Sequence, residues 1–167
     1  MRAVGDFFAA LDGPLGRIAQ ARTEGATPAH VDTQAGRSIV VLPFADMSQA
    51  KDQEYFSDGL AEELLNLLAK VPQLRVISRS SAFSFKGKSL DVATIAKQLD
   101  VAHVLEGSVR KSGNQVRITV QLIDARTDAH LWSETYDRPL ENIFAIQDEI
   151  AAAVVAQLKV TLLGAAP

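Results

Sequence analysis

The chain has 167 residues, 47% apolar and 22% charged, with a formal net charge of −3 and no cysteine. That supports one packed core plus a flanking segment. It excludes disulfides and thiolate metal sites, offers no global basic field for nucleic acid or anionic lipid, and contains no apolar run near the roughly 20 residues of a membrane helix.

In chain order, residues 1–37 read as a linker or loosely attached arm, because "ARTEGATPAHVDTQAGR" has no sustained period. A short helix over Ala3 to Leu11 is compatible with the residues before it, which lack the continuous apolar stretch of a secretion signal. Order begins at "RSIVVLPF", a β-branched run stopped by Pro43 that predicts a strand buried on both faces. Phe56, Leu60, Leu64, Leu67, Leu68 and Val71 then recur at helical spacing. Ser57 or Asp58 would cap that helix, and Pro72 would end it. "LRVIS" predicts a second strand, and "SLDVATIAKQL" a second helix capped by Asp91.

From Val101 the period becomes two, with Gly113-Asn114 as a hairpin turn. Val116, Ile118, Val120 and Leu122 share one face, and Arg117, Thr119 and Gln121 the other. A third strand, "AHLWSETYD", and a last helix near Asn142 to Leu162 complete the order β-α-β-α-β-β-β-α. This predicts a single two-layer α/β sandwich with a mixed sheet over 38–163, followed by a tail at 164–167.

"AFSFKGKS", Ala82 to Ser89, departs from the phosphate-binding pattern G-x-x-x-x-G-K-S at its first residue. Such a loop wraps backbone N–H groups around phosphate, and Phe83 and Phe85 would crowd that cradle. Lys88 and Ser89 should also stand in the first helical turn, but a cap at Asp91 places them before it. The meander that follows leaves no room for further βαβ units. Nucleotide hydrolysis is therefore not the expectation.

The distribution of charge is more informative. Asp46, Asp52, Glu54, Asp58, Glu62 and Glu63 form an acidic block, and no acid lies between Glu63 and Asp91. Two readings follow. The blocks pair locally on a solvated surface, or Arg75, Arg79, Ser80, Ser81, Phe83, Phe85, Lys86 and Lys88 form a basic, aromatic loop that docks an anion or an acidic partner. His130, Trp132 and Tyr136 are placed on one face of the last strand, as a partner-binding surface or as the floor under the last helix. The three histidines lie in separate segments without metal-ligand spacing, and no nucleophile motif occurs. Neither cofactor nor metal is expected.

"SIVVLPFADMS", "EYFSDGLAEELLNLLAKVPQLRVISRSSAFSFKGK", "VAHVLEGSVRKSGNQVRITVQLIDARTDAHLWSETYDR" and "IFAIQDEIAAAVV" together resemble the TolB-like N-terminal domain of bacterial signalling proteins. The resemblance implies a non-catalytic α/β module, similar to the amino-terminal domain of TolB and to anticodon-binding-like folds. In that family the module accompanies adenylate cyclase, winged-helix and tetratricopeptide-repeat domains. It implies a regulatory, interaction or ligand-sensing role, with a protein partner or neighbouring domains of a longer parent chain. Alternatives are an anion-, nucleotide- or nucleic-acid-binding domain using residues 75–88, and a fragment of an adenylate cyclase whose catalytic domain lies outside this chain. The module would be periplasmic where a membrane helix precedes it, and cytoplasmic as the chain stands. An excised domain or a stand-alone remnant is expected.

Overall fold

The chain divides into two units, Met1–Gln34 and Ala35–Pro167. The computed structural model describes residues 37–164, within the second unit, so the arm expected over 1–37 and the final tail lie almost wholly outside the described residues. The elements are β1 (Ser38–Val41), β2 (Ala45–Asp46), α1 (Glu54–Leu68), β3 (Arg75–Val76), α2 (Arg79–Phe83), α3 (Val92–Leu99), β4 (His103–Ser112), β5 (Gln115–Asp124), β6 (Ala129–Pro139) and α4 (Ile143–Leu163).

All strands belong to one mixed sheet, ordered β3-β1-β4-β5-β6, with β2 pairing beside β4. β1 is parallel to β3 and β4, whereas β4, β5 and β6 form an antiparallel meander. The expected mixed α/β fold is what forms, with β2 and the single turn of α2 added to the expected order.

Alternation along β1 determines where the helices pack. Ile39 and Val41 enter the larger core with Phe56, Leu60 and Leu64 of α1 and Ile150, Val154 and Leu158 of α4. Val40 and Leu42 point the other way, into a smaller core with Ala82, Ile95, Ala96 and Val104. α3 therefore adds a third layer over the parallel end, and this is why all four residues of β1 are buried. Over the meander only one face is covered. Val116, Ile118, Val120 and Leu122 of β5 enter the larger core, while Arg117 is exposed.

Local chemistry sets the ends of the elements. Asp91 and Asn142 cap α3 and α4, their side chains accepting from the amides of Thr94 (2.7 Å) and Ala145 (3.1 Å). The expected cap of α1 is corrected. The helix starts at Glu54, and Ser57 lies inside it, its hydroxyl donating back to the Gln53 carbonyl at 2.8 Å. The helix also ends at Leu68, before Pro72, so the proline follows a helix that has already stopped. At the β4–β5 hairpin only Gly113 has positive φ, +59°, as a type II′ turn requires at its first central residue.

The topology also gathers loops. β6 pairs antiparallel to β5 and so runs parallel to β4 and β1. β3 and β2 run the same way, and α1, α3 and α4 follow the carboxyl ends of β1–β2, β3 and β6. Their amino ends therefore meet at one end of the sheet. Consistent with this, the Gln147 amide, near the start of α4, donates to the Phe56 carbonyl near the start of α1 at 3.0 Å.

Candidate functional site

That end of the sheet is also its topological switch point. β1 connects through α1 to β3 on one side, and β3 then connects through α3, on the opposite face, to β4 on the other side. Connections that diverge in this way leave a crevice beyond the strands' carboxyl ends. Here it is a cleft of about 440 Å³. One wall is the stretch Leu42 to Asp46 that leaves β1, and the opposite wall is the loop Phe85 to Lys88 with Leu90. Ile95, Lys51 and Glu54 complete the lining.

The wall after β1 is braced. The Asp46 carboxylate accepts from the backbone amides of Ser48 (3.0 Å) and Gln53 (2.7 Å), and the Met47 amide donates to the Val109 carbonyl at 2.8 Å. Burial pushes the Asp46 carboxyl up, but these hydrogen bonds and the nearby Lys51 outweigh it and hold the carboxyl below its ordinary value. Lys51, at φ +54°, donates from Nζ to the Asp46 carbonyl at 3.1 Å. The Ser48 hydroxyl accepts from the Lys111 amide at 2.9 Å and ties the loop to β4.

The opposite wall carries most of the residues singled out from the sequence, and the structure separates them. Lys86 is ion-paired with Glu54 and with Asp58, the latter at 2.6 Å. Those bonds raise its pKa, the Asp58 contact contributing most. Arg79 pairs with Glu62 at 3.0 Å and lies over the Phe83 ring at 4.4 Å. Arg75 sits at the amino end of β1, paired alongside Ser38, and donates to the Asp100 carbonyl. The acidic and basic blocks therefore pair largely with each other. Phe83 packs against both cores and Phe85 against the smaller one, so both aromatics anchor the loop. Ser81 donates its amide to the α2 cap Ser78 at 3.3 Å, and Ser80 is exposed. Lys88 has no carboxylate partner among the described residues; its ammonium lies 5.8 Å from the Phe85 ring. Lys88 and Ser89 precede the Asp91 cap, so they stand outside the helical turn a phosphate loop needs.

The aromatic face is partly corrected. Trp132 and Tyr136 pack against the larger core, as the floor beneath the helices. His130 does not join them. A register shift between Leu122 and Ile123 pairs Trp132 with Leu122 but His130 with Ile123, on the sheet's other face. At the far end of the sheet His103 is buried, and burial lowers its pKa; its Nδ1 finds no hydrogen-bond partner.

Sequence reasoning missed the exposed apolar residues. The large hydrophobics left exposed are Tyr55 (73%), Phe144 (65%), Met47 (48%), Leu131 (44%) and Leu90 (40%). All but Leu131 stand at the end that holds the cleft, in the loop before α1, in the first turns of α1 and α4, or just before α3. Each helical one directly neighbours a residue packed on the larger core, Phe56 or Ile143. Their position one step off the stripe was the available signal. Among the described residues no cluster of His, Cys, Asp or Glu could hold a metal ion, and no helix is long and apolar enough to cross a membrane.

Comparison with known proteins adds relatives to this geometry. Residues 35–153 match the family described as HilA/YgeH-like transcriptional regulator, second domain. A protein of Rhizobium meliloti (strain 1021) named "Putative adenylate cyclase 3" is 50% identical over 125 residues, covering 75% of this chain and 21% of that protein. The chain thus spans about a fifth of that curated relative's length. Among solved structures, TolB from Acinetobacter baumannii aligns with a TM-score of 0.56 at 15% identity, over 78% of this chain and 29% of that one. Lipoprotein GNA1162 from Neisseria meningitidis aligns with a TM-score of 0.53 at 18% identity, over 75% of this chain and 99% of that one. At these identities the structural likeness is one of fold. It bears out the expected TolB-like architecture.

Proposed function

We propose, for a chain that belongs to the family of HilA/YgeH-like transcriptional regulator second domains, that it is a non-catalytic interaction module of a longer signalling or regulatory protein. The observation that carries this reading is the exposed apolar end. Met47, Tyr55, Leu90 and Phe144 project where three helix amino ends converge, whereas the rest of the described surface leaves only Leu131 comparably exposed. Large apolar side chains concentrated on one end mark a contact surface rather than scattered surface residues. The occupant we assign is a neighbouring domain of the same parent chain. The support is that this chain matches a second domain and covers 21% of its curated relative. The TolB-like expectation and the cyclase-like relative fit the same reading: the output, cyclisation or transcription, belongs to other domains, and this module relays a signal to them.

Hydrogen exchange tests the docking claim. In a chain extended by its native flanking domains, amides at 47–55, 88–91 and 142–146 should exchange more slowly than in the domain alone. Protection confined to other surfaces would refute it. Incubation with ATP and magnesium tests the non-catalytic claim: cyclic AMP formed by this chain by itself would overturn it.

A further inference from the structure

We propose that the switch-point cleft binds a small carboxylate with an apolar body, such as an aryl- or alkyl-alkanoate. The inference does not depend on the docking reading, since the cleft belongs to the isolated chain.

Its volume, about 440 Å³, lies within the range of small-ligand sites, and it sits where diverging connections open a crevice in α/β sheets. The lining is of two kinds. Leu42, Phe44, Phe85, Leu90 and Ile95 offer an apolar surface able to take a ring or short chain. The other charged side chains of the lining have partners: Asp46 is satisfied by two backbone amides and has Lys51 beside it, and Glu54 shares Lys86 with Asp58, which stands outside the lining. Lys88 remains, without a carboxylate partner among the described residues, on the same loop as the apolar Phe85 and Leu90. One ammonium without a carboxylate partner, beside an apolar floor, complements one negative charge on an apolar body. It does not complement a polyphosphate, because Lys86 and Arg79 are already committed to carboxylates. A ligand held there would touch Leu90, which also belongs to the exposed apolar end, so occupancy and docking would share a side chain.

The test is titration of the isotope-labelled chain with 4-phenylbutyrate, 4-phenylbutylamine and inorganic phosphate, followed by amide chemical shifts. The expected result is saturable shifts at residues 43–46 and 85–90 with the carboxylate, and binding at least several-fold weaker for the amine and for phosphate. Lys88→Gln, a change at an exposed loop residue, should weaken the carboxylate about three- to tenfold, as for one partly solvated charge-assisted contact. Leu90→Ala should weaken it while leaving phosphate unaffected. Equal binding of acid and amine, an unchanged affinity in Lys88→Gln, phosphate binding as tight as phenylbutyrate, or shifts confined to other regions would each overturn the proposal.

Discussion

The two halves of the sheet are built under different constraints. At the parallel end β1 is covered by α1 on one face and α3 on the other, and its sequence is a continuous apolar run. In the meander a single layer of helices covers one face, and β5 alternates between buried and more exposed residues from Gln115 to Leu122, until the register shift at Leu122/Ile123. The parallel end must return its chain through helices, so it collects loops at the strands' carboxyl ends and acquires a cleft. The meander closes through tight turns, and the recess on it, about 350 Å³ beside Arg110, Gln115, Arg117 and Asp137, is lined almost wholly by polar and charged side chains. The larger recess, with apolar side chains in its lining, therefore arises where the topology forces long connections, and the meander's covered face is a wall of the core.

The largest effect that would break this comparison lies in the smaller core. Ile95→Ala, which empties the contact between α3 and β1, should cost about 2–5 kcal/mol in denaturant unfolding. Gln121→Ala, on the uncovered face of the meander, should stay within about 0.5 kcal/mol. If the two cost the same, the third layer would not be part of the cooperative fold.

Next in size is Gly107→Ala in β4. A Cβ there would stand 2.4 Å from the Thr119 carbonyl oxygen and 2.7 Å from the Phe44 ring, so strand or ring must move. A loss of about 1–3 kcal/mol is expected from such overpacking. Because Phe44 also lines the cleft, this variant should disturb amide shifts at 43–46 as well. Asn142→Ala removes the cap of α4 and should cost about 1 kcal/mol by the same measurement.

A smaller effect separates two carboxylates by pH. Asp46, at the parallel end, is held below its ordinary value, so it stabilises the fold above the unfolded-state pKa. That contribution is lost as pH falls through the lower, folded-state value. Glu106 faces the uncovered side of the meander, where burial pushes its carboxyl up, against the pull of His130. A raised folded pKa gives a contribution that is full below the unfolded value and lost as pH rises through the folded one. Glu106→Gln should therefore raise the melting temperature at pH 7, with the gain shrinking as pH falls into the carboxylate range. A gain that grows on acidification would reverse the assignment. Smallest of all, breaking the exposed Arg117–Asp137 pair (2.8 Å) by Arg117→Ala should leave the melting temperature unchanged within error.

Much of this was legible in the sequence because hydrophobic period reports burial directly. The run at Ile39 to Leu42 points to a strand covered on both faces, and the stripe from Phe56 to Val71 to a helix on the core. Asp91 marked its helix start because a short acid before an apolar turn does so by local hydrogen bonding alone. What escaped was non-local. The bulge beside Leu131 turned His130 away from Trp132, and no local pattern announces a one-residue shift in a partner strand. The helix start at Glu54 is hidden because Gln53 makes no side-chain cap; the chain entering the helix is held instead by Asp46, seven residues upstream, which accepts from the Gln53 amide. The two readings of the charge blocks differ in a contact between α1 and the loop after β3, which is non-local: Arg79 pairs with Glu62 and Lys86 with Asp58. The cleft itself exists only in three dimensions, from segments around 44, 54, 86 and 95.

The central claim is that the end bearing Met47, Tyr55, Leu90 and Phe144 is a docking surface for a neighbouring domain. Its most direct test is hydrogen exchange of the domain alone against the chain extended by its native flanking domains, repeated with Tyr55→Glu and Phe144→Glu together. The account predicts slowed exchange at 47–55, 88–91 and 142–146 in the extended chain, lost in the double variant while core protection persists. Equal exchange at these segments in both chains, or protection that survives the double variant, would contradict it.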